Sequence, residues 1–275
     1  MANSQQLIAK SSLTPEQEQQ FKYYWYAARE AIEQEKYPEA YALLEFCHLL
    51  NPNDGMTLYQ LGVIQNGLKH EEEARNCFEQ AHKLLGKESP DNLLEQLKEI
   101  YMINSEWKNA RAIQDELDTK NEYDAYSAIT RYRIYAMWGK NKKAIQEIDR
   151  YLDFDPENLR FLLFRLELME HTGAKVKDLY AMYERVLELD PYNLMVLNNY
   201  AYLLATHKGD LKKAEQMSVI TIREAPNSPV YLDTYGWILH LQGQDELAKF
   251  YLNKALWNAD EVTKAEVTKH LEAIK

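Results

Sequence analysis

Glycine and proline are scarce in this sequence, which has 9 Gly and 8 Pro among 275 residues. An all-β protein would need many turns, so this scarcity favours helices over strands. No linker rich in Pro, Gly or Ser divides the chain, which favours one elongated array over two globular domains. No run of 18 apolar residues occurs either, which argues against a membrane-spanning helix.

Basic residues are fewer than acidic ones. The chain has 32 Lys and Arg against 43 Asp and Glu, which gives a formal net charge of -11. This charge repels the phosphate backbones of nucleic acids, and no long Lys/Arg run offers a local exception. We therefore expect no nucleic-acid binding. A neutral or basic protein or peptide is the better electrostatic match.

Cysteine is rare, and the N-terminus lacks the features of an export signal. Cys47 and Cys77 lie among apolar helical residues without the spacing of a zinc site, so we expect small core residues. The polar start MANSQQLIAKSS has neither a charged n-region nor an apolar h-region. We expect a soluble protein, cytoplasmic if the chain is complete and periplasmic or envelope-associated if a signal has been removed.

Sequence motifs of catalysis are missing as well. The seven histidines show no H-E-x-x-H or other recognisable ligand spacing, and no Walker loop or G-x-G-x-x-G occurs. The neighbours Cys47 and His48 could suggest a thiolate–imidazole pair, but adjacent side chains on a helix point about 100° apart. The sequence therefore predicts no enzyme, no catalytic residues, no cofactor and no metal.

A repeat of about 35 residues runs through the chain, aligned on an anchor that opens the second helix of each predicted pair. The anchors follow one another at intervals of 34 to 36 residues: Ala40, Ala74, Ala110, Ala144, Leu179, Ala214 and Ala248. Residues four and seven positions later share one helical face with the anchor. About twelve positions earlier lie small residues that would let two helices approach closely: Ala28, Gly62, Ala201 and Gly236. Lys98, Tyr132 and Leu166 replace them in the third to fifth repeats, where we expect looser packing.

Prolines and glycines indicate where the helices end. Four prolines lie about twelve residues after an anchor: Pro52, Pro156, Pro191 and Pro226. Proline cannot continue a helix and disfavours helix before it, so each indicates a helix end. Four glycines fall between the two helices of a pair, where a chain reversal can use positive φ: Gly139, Gly173, Gly209 and Gly243.

The segments YLDTYGWILHLQGQDELAKFYLNKAL and NNYAYLLATHKGDLKKAEQ resemble tetratricopeptide repeats, a family of 34-residue helix pairs. The resemblance extends from about Phe21 to about Asp260. It implies an all-α, right-handed superhelix (an α-solenoid) of about seven helix-turn-helix repeats. We expect residues 1–13 to form a flexible tail, residues 14–260 the repeat array and residues 261–275 a C-terminal capping helix, which would cover the apolar outer face of the last repeat.

The resemblance also implies a binding surface, because the first helices of this family line a concave groove. Carried over by position, the predicted peptide-binding groove contains Trp25, Arg29, Tyr59, Asn66, Glu95, Glu99, Tyr126, Arg133, Glu167, Asn198, Tyr202, Asp233, Trp237 and His240. Trp, Tyr and Arg are common interface anchors because they bury a large area and keep a polar group. The alternative is that several of these residues pack within their own repeats.

The functional hypothesis that follows is a non-enzymatic scaffold or adaptor that binds a peptide segment of a partner in this groove. A structural subunit that assembles through its convex face or its ends is the alternative. A third possibility is a repeat domain that serves an enzyme on another chain. The sequence does not separate these three, and it identifies neither partner nor pathway.

Overall fold

The computed structural model describes residues 13–274, and all regular structure in this range is helical. The α-helices are α1 (Pro15–Glu33), α2 (Tyr37–Leu50), α3 (Gly55–Gly67), α4 (Glu71–Leu85), α5 (Asp91–Ile103), α6 (Trp107–Lys120), α7 (Ala125–Met137), α8 (Asn141–Phe154), α9 (Leu159–His171), α10 (Val176–Leu189), α11 (Leu194–Thr206), α12 (Leu211–Glu224), α13 (Pro229–Leu241), α14 (Asp245–Leu256) and α15 (Glu261–Ala273). The predicted all-α class is confirmed. None of these helices is both long enough and apolar enough to cross a membrane. The predicted flexible tail lies outside the described residues except for Leu13.

The chain divides into two compact units, Met1–Ala144 and Ile145–Lys275, with the boundary inside α8. In the first unit, consecutive helices from α1 to α7 pack on one another. In the second unit, the same holds from α9 to α15. Helix α15 follows the seventh helix pair and packs on both α13 and α14. The boundaries proposed for the repeat array and the capping helix remain a prediction.

The register of the predicted repeat is confirmed by burial. All seven anchors lie in even-numbered helices, and none is more than 6% exposed. The residues four positions after each anchor are buried too: Leu44, Phe78, Gln114, Ile148, Tyr183, Ser218 and Leu252. A single face of each second helix therefore enters the core.

The small residues of the first helices lie where helices approach closely, as predicted. A Cβ atom added to Gly62 would lie 2.6 Å from Phe78 Cε1, and one added to Gly236 would lie 2.7 Å from Leu252 Cγ. Lys98 and Leu166 occupy equivalent positions and are also buried. Their helix pairs, α5/α6 and α9/α10, are packed less closely than the pairs that have Ala or Gly.

Helix ends follow the prolines, and one glycine departs from prediction. Helices α2, α8, α10 and α12 each end two residues before the predicted proline. Gly139, Gly173 and Gly243 adopt positive φ, as expected. The prediction for Gly209 is wrong, because the preceding residue Lys208 has the positive φ of 55°. Gly209 instead permits close packing, since a Cβ there would lie 2.7 Å from Leu204 Cδ2.

Replacing Ala74 with Glu should lower the free energy of unfolding by about 3 kcal/mol or more, because an unpaired carboxylate would enter the core. Asn76→Glu places the same charge at an exposed position of α4 and should change the free energy by less than about 0.5 kcal/mol. Urea unfolding measures both. Equal losses would show that the anchor is not in the core.

Lys69 lies between α3 and α4 with a φ of 66°, a conformation that disfavours side chains with a Cβ. Lys69→Gly should therefore raise the free energy of unfolding by up to about 1 kcal/mol. The same substitution at exposed Lys22, within α1, should lower it by about 1 kcal/mol. Thermal unfolding of the two variants should therefore give shifts of opposite sign, and a loss in both would contradict the role of the turn.

Candidate functional site

All fourteen residues of the predicted groove lie on odd-numbered helices, the first helices of their pairs. Eight belong to the first unit, and six belong to the second. Their exposure differs widely. Glu99, Arg133 and Glu167 are exposed, whereas Asn198 and Asp233 are only 4% and 5% exposed. Contact of these residues with a partner remains a prediction.

In the first unit, residues of α1 and α3 surround a shallow cavity. Trp25 and Arg29 line this space of about 350 Å³ together with Met56 and Gln60. Tyr59 lies on α3 with its ring 6.1 Å from that of Phe78.

Other groove residues of the first unit take part in packing between helices. Tyr59 packs partly against the apolar core around Phe78, and this burial raises the pKa of its hydroxyl. On the same helix, Asn66 Nδ2 donates a 3.3 Å hydrogen bond to Gln96 Oε1 of α5. Arg29 is exposed, whereas Trp25 is partly buried against the core of the first helix pair.

A polar network around Lys98 joins α5, α6 and α7. Lys98 is fully buried, and its Nζ lies 2.5 Å from Glu95 Oε2 and 3.3 Å from Gln114 Oε1. The same Nζ lies 5.0 Å from the centre of the Tyr126 ring, and the Tyr126 hydroxyl donates to Glu95. Lys98 and Gln114 both depart from the repeat pattern, and in the structure the Lys98 ammonium donates a hydrogen bond to the Gln114 side chain. A buried ammonium requires such partners.

In the second unit, helix α15 reaches residues of the predicted groove. His270 Nδ1 donates to Asp233 Oδ1 at 2.8 Å, and both side chains are buried. The Trp237 ring stacks on the His270 ring with a centroid distance of 4.4 Å. The Tyr202 hydroxyl donates to Glu266 Oε1 at 3.2 Å. Helix α15 therefore covers part of the surface that the sequence assigned to a partner.

The last predicted groove residue of α13 is His240, which packs within its own repeat. Its Nδ1 lies 2.7 Å from Asp245 Oδ1 at the start of α14. Its ring lies 5.1 Å from that of Trp237. His240 therefore links the end of α13 to the start of α14.

A cavity of about 330 Å³ lies beside these residues, with walls from α9, α10, α11, α13 and α15. Three carboxylates line it: Glu170, Asp233 and Glu266. Glu170 accepts a hydrogen bond from the Tyr183 hydroxyl. Burial raises the pKa of the Asp233 carboxyl, although the hydrogen bond from His270 opposes this shift. Burial and the charge of Glu266 raise the pKa of Tyr202 to about 12.

Asn198 contributes a buried acceptor to the same cavity. Its Nδ2 donates a long hydrogen bond of 3.5 Å to Asn199 Oδ1, while its own Oδ1 has no hydrogen-bond partner. A buried carbonyl without a donor destabilises the fold by about 1–3 kcal/mol. A ligand with an N–H group would remove this penalty.

Asp233, Glu266 and His270 also meet the geometric requirement for a metal ion. One ligand atom from each lies within 4.8 Å of the others. Two carboxylates and an imidazole form a donor set that divalent transition metals accept. In this structure the imidazole Nδ1 is already engaged with Asp233.

Sequence reasoning missed Glu170, Glu266 and His270. Glu266 and His270 are four residues apart, so they share one face of α15. That spacing could have identified a polar face. Nothing local in the sequence indicates that this face meets α13, because the Asp233–His270 contact spans 37 residues.

Comparison with known proteins identifies the repeats. Two family models, both described as tetratricopeptide repeat, match residues 57–84, within α3 and α4, and residues 182–216, from α10 to α12. The chain contains tetratricopeptide repeats in these two segments. Solenoids of such repeats use extended surfaces for binding, so the chain has the fold of a protein-interaction scaffold.

A protein that contains such repeats matches part of this chain. TPR repeat-containing protein PA4667 of Pseudomonas aeruginosa is 33% identical over 120 residues, which cover 42% of this chain and 20% of that protein. The chain thus spans about a fifth of the curated relative's length.

Two solved structures are similar to this chain at low sequence identity. A chain from the structure of Naa15/Naa10 bound to HypK-THB has a TM-score of 0.64 at 16% identity, covering 90% of this chain and 40% of that chain. A tetratricopeptide repeat protein from Parabacteroides merdae has a TM-score of 0.47 at 18% identity, covering 92% and 98%.

Replacing His270 with Ala should loosen α15, because the buried Asp233 carboxylate would lose its donor. We expect a loss of about 2 kcal/mol in the free energy of unfolding. Amide exchange should accelerate in α13 and α15 and stay unchanged in α1 and α2, since solenoid repeats contact only their neighbours. Exposed Lys269→Ala is the control. If the two variants exchange alike, the Asp233–His270 pair does not hold α15.

Proposed function

We propose that this protein is a non-enzymatic adaptor that binds a peptide segment of a partner protein along the first helices of its repeats. The observation that carries this proposal is that cavities lie between consecutive first helices. One lies between α1 and α3, and the other lies among α9, α11 and α13, with α10 and α15 also in its walls. Aromatic and charged side chains of the predicted groove line both of them, which suits peptide recognition.

Charge indicates the chemistry of the partner. The whole chain has a net charge of -11, and three carboxylates line the cavity of the second unit. A basic or neutral segment gains from this potential, whereas a nucleic acid would be repelled. Binding that depends on this attraction should weaken as salt rises.

Large apolar side chains on second helices favour an alternative function. Phe46 of α2, Phe154 of α8 and Phe250 of α14 are at least half exposed. Exposed apolar surface often marks contacts between proteins. A structural subunit that assembles through its convex face or its ends would use these residues instead of the first helices.

Photocrosslinking inside the cells that make this protein separates the two proposals. The photoreactive residue p-benzoylphenylalanine is placed at Arg133 or Glu167, which are exposed on first helices, one in each unit. Matched controls carry it at Phe46 or Phe250, which are exposed on second helices. We expect one partner to be captured from Arg133 and Glu167 and not from the control positions. Capture from Phe46 and Phe250 alone would support the assembly function and contradict the groove.

A further inference from the structure

Three carboxylates line the cavity of the second unit, and His270 is the one basic side chain bonded to them within the described residues. Glu170, Asp233 and Glu266 accept hydrogen bonds from Tyr183, His270 and Tyr202 respectively. Across residues 13–274, none of these three carboxylates forms an ion pair with Lys or Arg.

Other carboxylates of the same unit do have such partners. Asp149 lies 2.6 Å from Arg165, and Glu184 lies 2.6 Å from Lys213. Carboxylates that line one cavity without a Lys or Arg partner repel one another, so the cavity would gain from a positively charged occupant.

The buried amide of Asn198 points independently to a ligand. Its Oδ1 has no hydrogen-bond partner although the side chain is 4% exposed and lines this cavity. Most buried carbonyl groups in proteins accept a hydrogen bond. The carboxylates attract positive charge, and the Asn198 carbonyl lacks an N–H donor. One cationic N–H group would compensate the negative charge and also supply the missing hydrogen bond.

We infer that this cavity receives the guanidinium group of an arginine side chain from the bound partner segment, an assignment that rests on the proposed adaptor function. The cavity volume of about 330 Å³ falls within the range of small-ligand sites. Three carboxylates and the Asn198 carbonyl offer four acceptor groups, more than the three N–H donors of a lysine ammonium. A guanidinium carries five donors in a planar fork, and the Tyr202 ring in the wall suits its flat face.

A divalent metal ion explains fewer of these features. Asp233, Glu266 and His270 could approach a metal, but this set leaves Glu170 and the Asn198 carbonyl unused. Metal binding would also replace the hydrogen bond between His270 and Asp233. An arginine keeps that bond, because it uses the remaining lone pairs of the carboxylates.

Two capped tripeptides test the assignment on the full chain. Acetyl-Gly-Arg-Gly-amide carries the guanidinium, and acetyl-Gly-citrulline-Gly-amide is its neutral counterpart of nearly the same shape. Each is titrated into ¹⁵N-labelled protein at matched ionic strength, while the side-chain amide of Asn198 and the indole N–H of Trp237 are followed by NMR. We expect saturable shifts with the arginine peptide, with a Kd of about 1 mM, and at least tenfold weaker binding of the citrulline peptide.

Charge-matched variants locate the site. Glu170→Gln with Glu266→Gln removes two charges from the cavity and should weaken the arginine peptide by about tenfold or more. The control, Glu71→Gln with Glu72→Gln, makes the same change on exposed positions of α4 and should leave the Kd unchanged. If the cavity double variant shows an altered unfolding transition, Glu266→Gln alone serves instead, because Glu266 is exposed.

Three results would overturn the assignment. One is equal affinity for the arginine and citrulline peptides, and another is equal weakening by the two double variants. The third is saturable binding of ZnCl₂ that is lost in Glu266→Gln, without binding of the arginine peptide, which would make the cluster a metal site. The adaptor proposal fails separately: crosslinking from Phe46 and Phe250 alone would contradict it even if the arginine peptide binds the cavity.

Discussion

Close approach of two helices at a buried anchor is the constraint on which the pairs within each unit depend. The anchor is Ala in six repeats and Leu179 in one, and a Gly or Ala on the first helix often faces the same contact. Because the backbones come close there, residues four and seven positions later can fill the space between helices. Each pair then offers an apolar face to the next, and the stability of the stack is close to a sum over such neighbours.

Local signals explain why so much of the fold was predictable. The helical period and the helix-ending effect of proline act over a few residues, so the anchors and the ends of α2, α8, α10 and α12 followed from the sequence. The sequence did not reveal which turn residue adopts positive φ, as Lys208 and Gly209 show. It also did not reveal that Lys98 and Gln114 pair with one another, because that pairing depends on two helices meeting.

The candidate site was less predictable because it depends on the C-terminal helix. Val267 of α15 is fully buried and shares an apolar cluster with Leu232 and Leu252 of the seventh pair. The preceding residue, Glu266, lines the acidic cavity. Helix α15 therefore covers the apolar core of the seventh pair and also forms part of the wall of the acidic cavity. Carboxylates without a Lys or Arg partner and the Asn198 carbonyl without a donor lower the stability of the fold locally. Polar groups that lack partners in this way are expected at functional sites.

Amide hydrogen exchange with and without the captured partner segment shows whether partners bind the first helices. Exchange should slow in α11, α13 and α15, whose residues line the acidic cavity, and should change little in α12 and α14. Protection confined to even-numbered helices, or found only at α1 and α2, would contradict it and would place the partner on the outer surface or at an end of the chain.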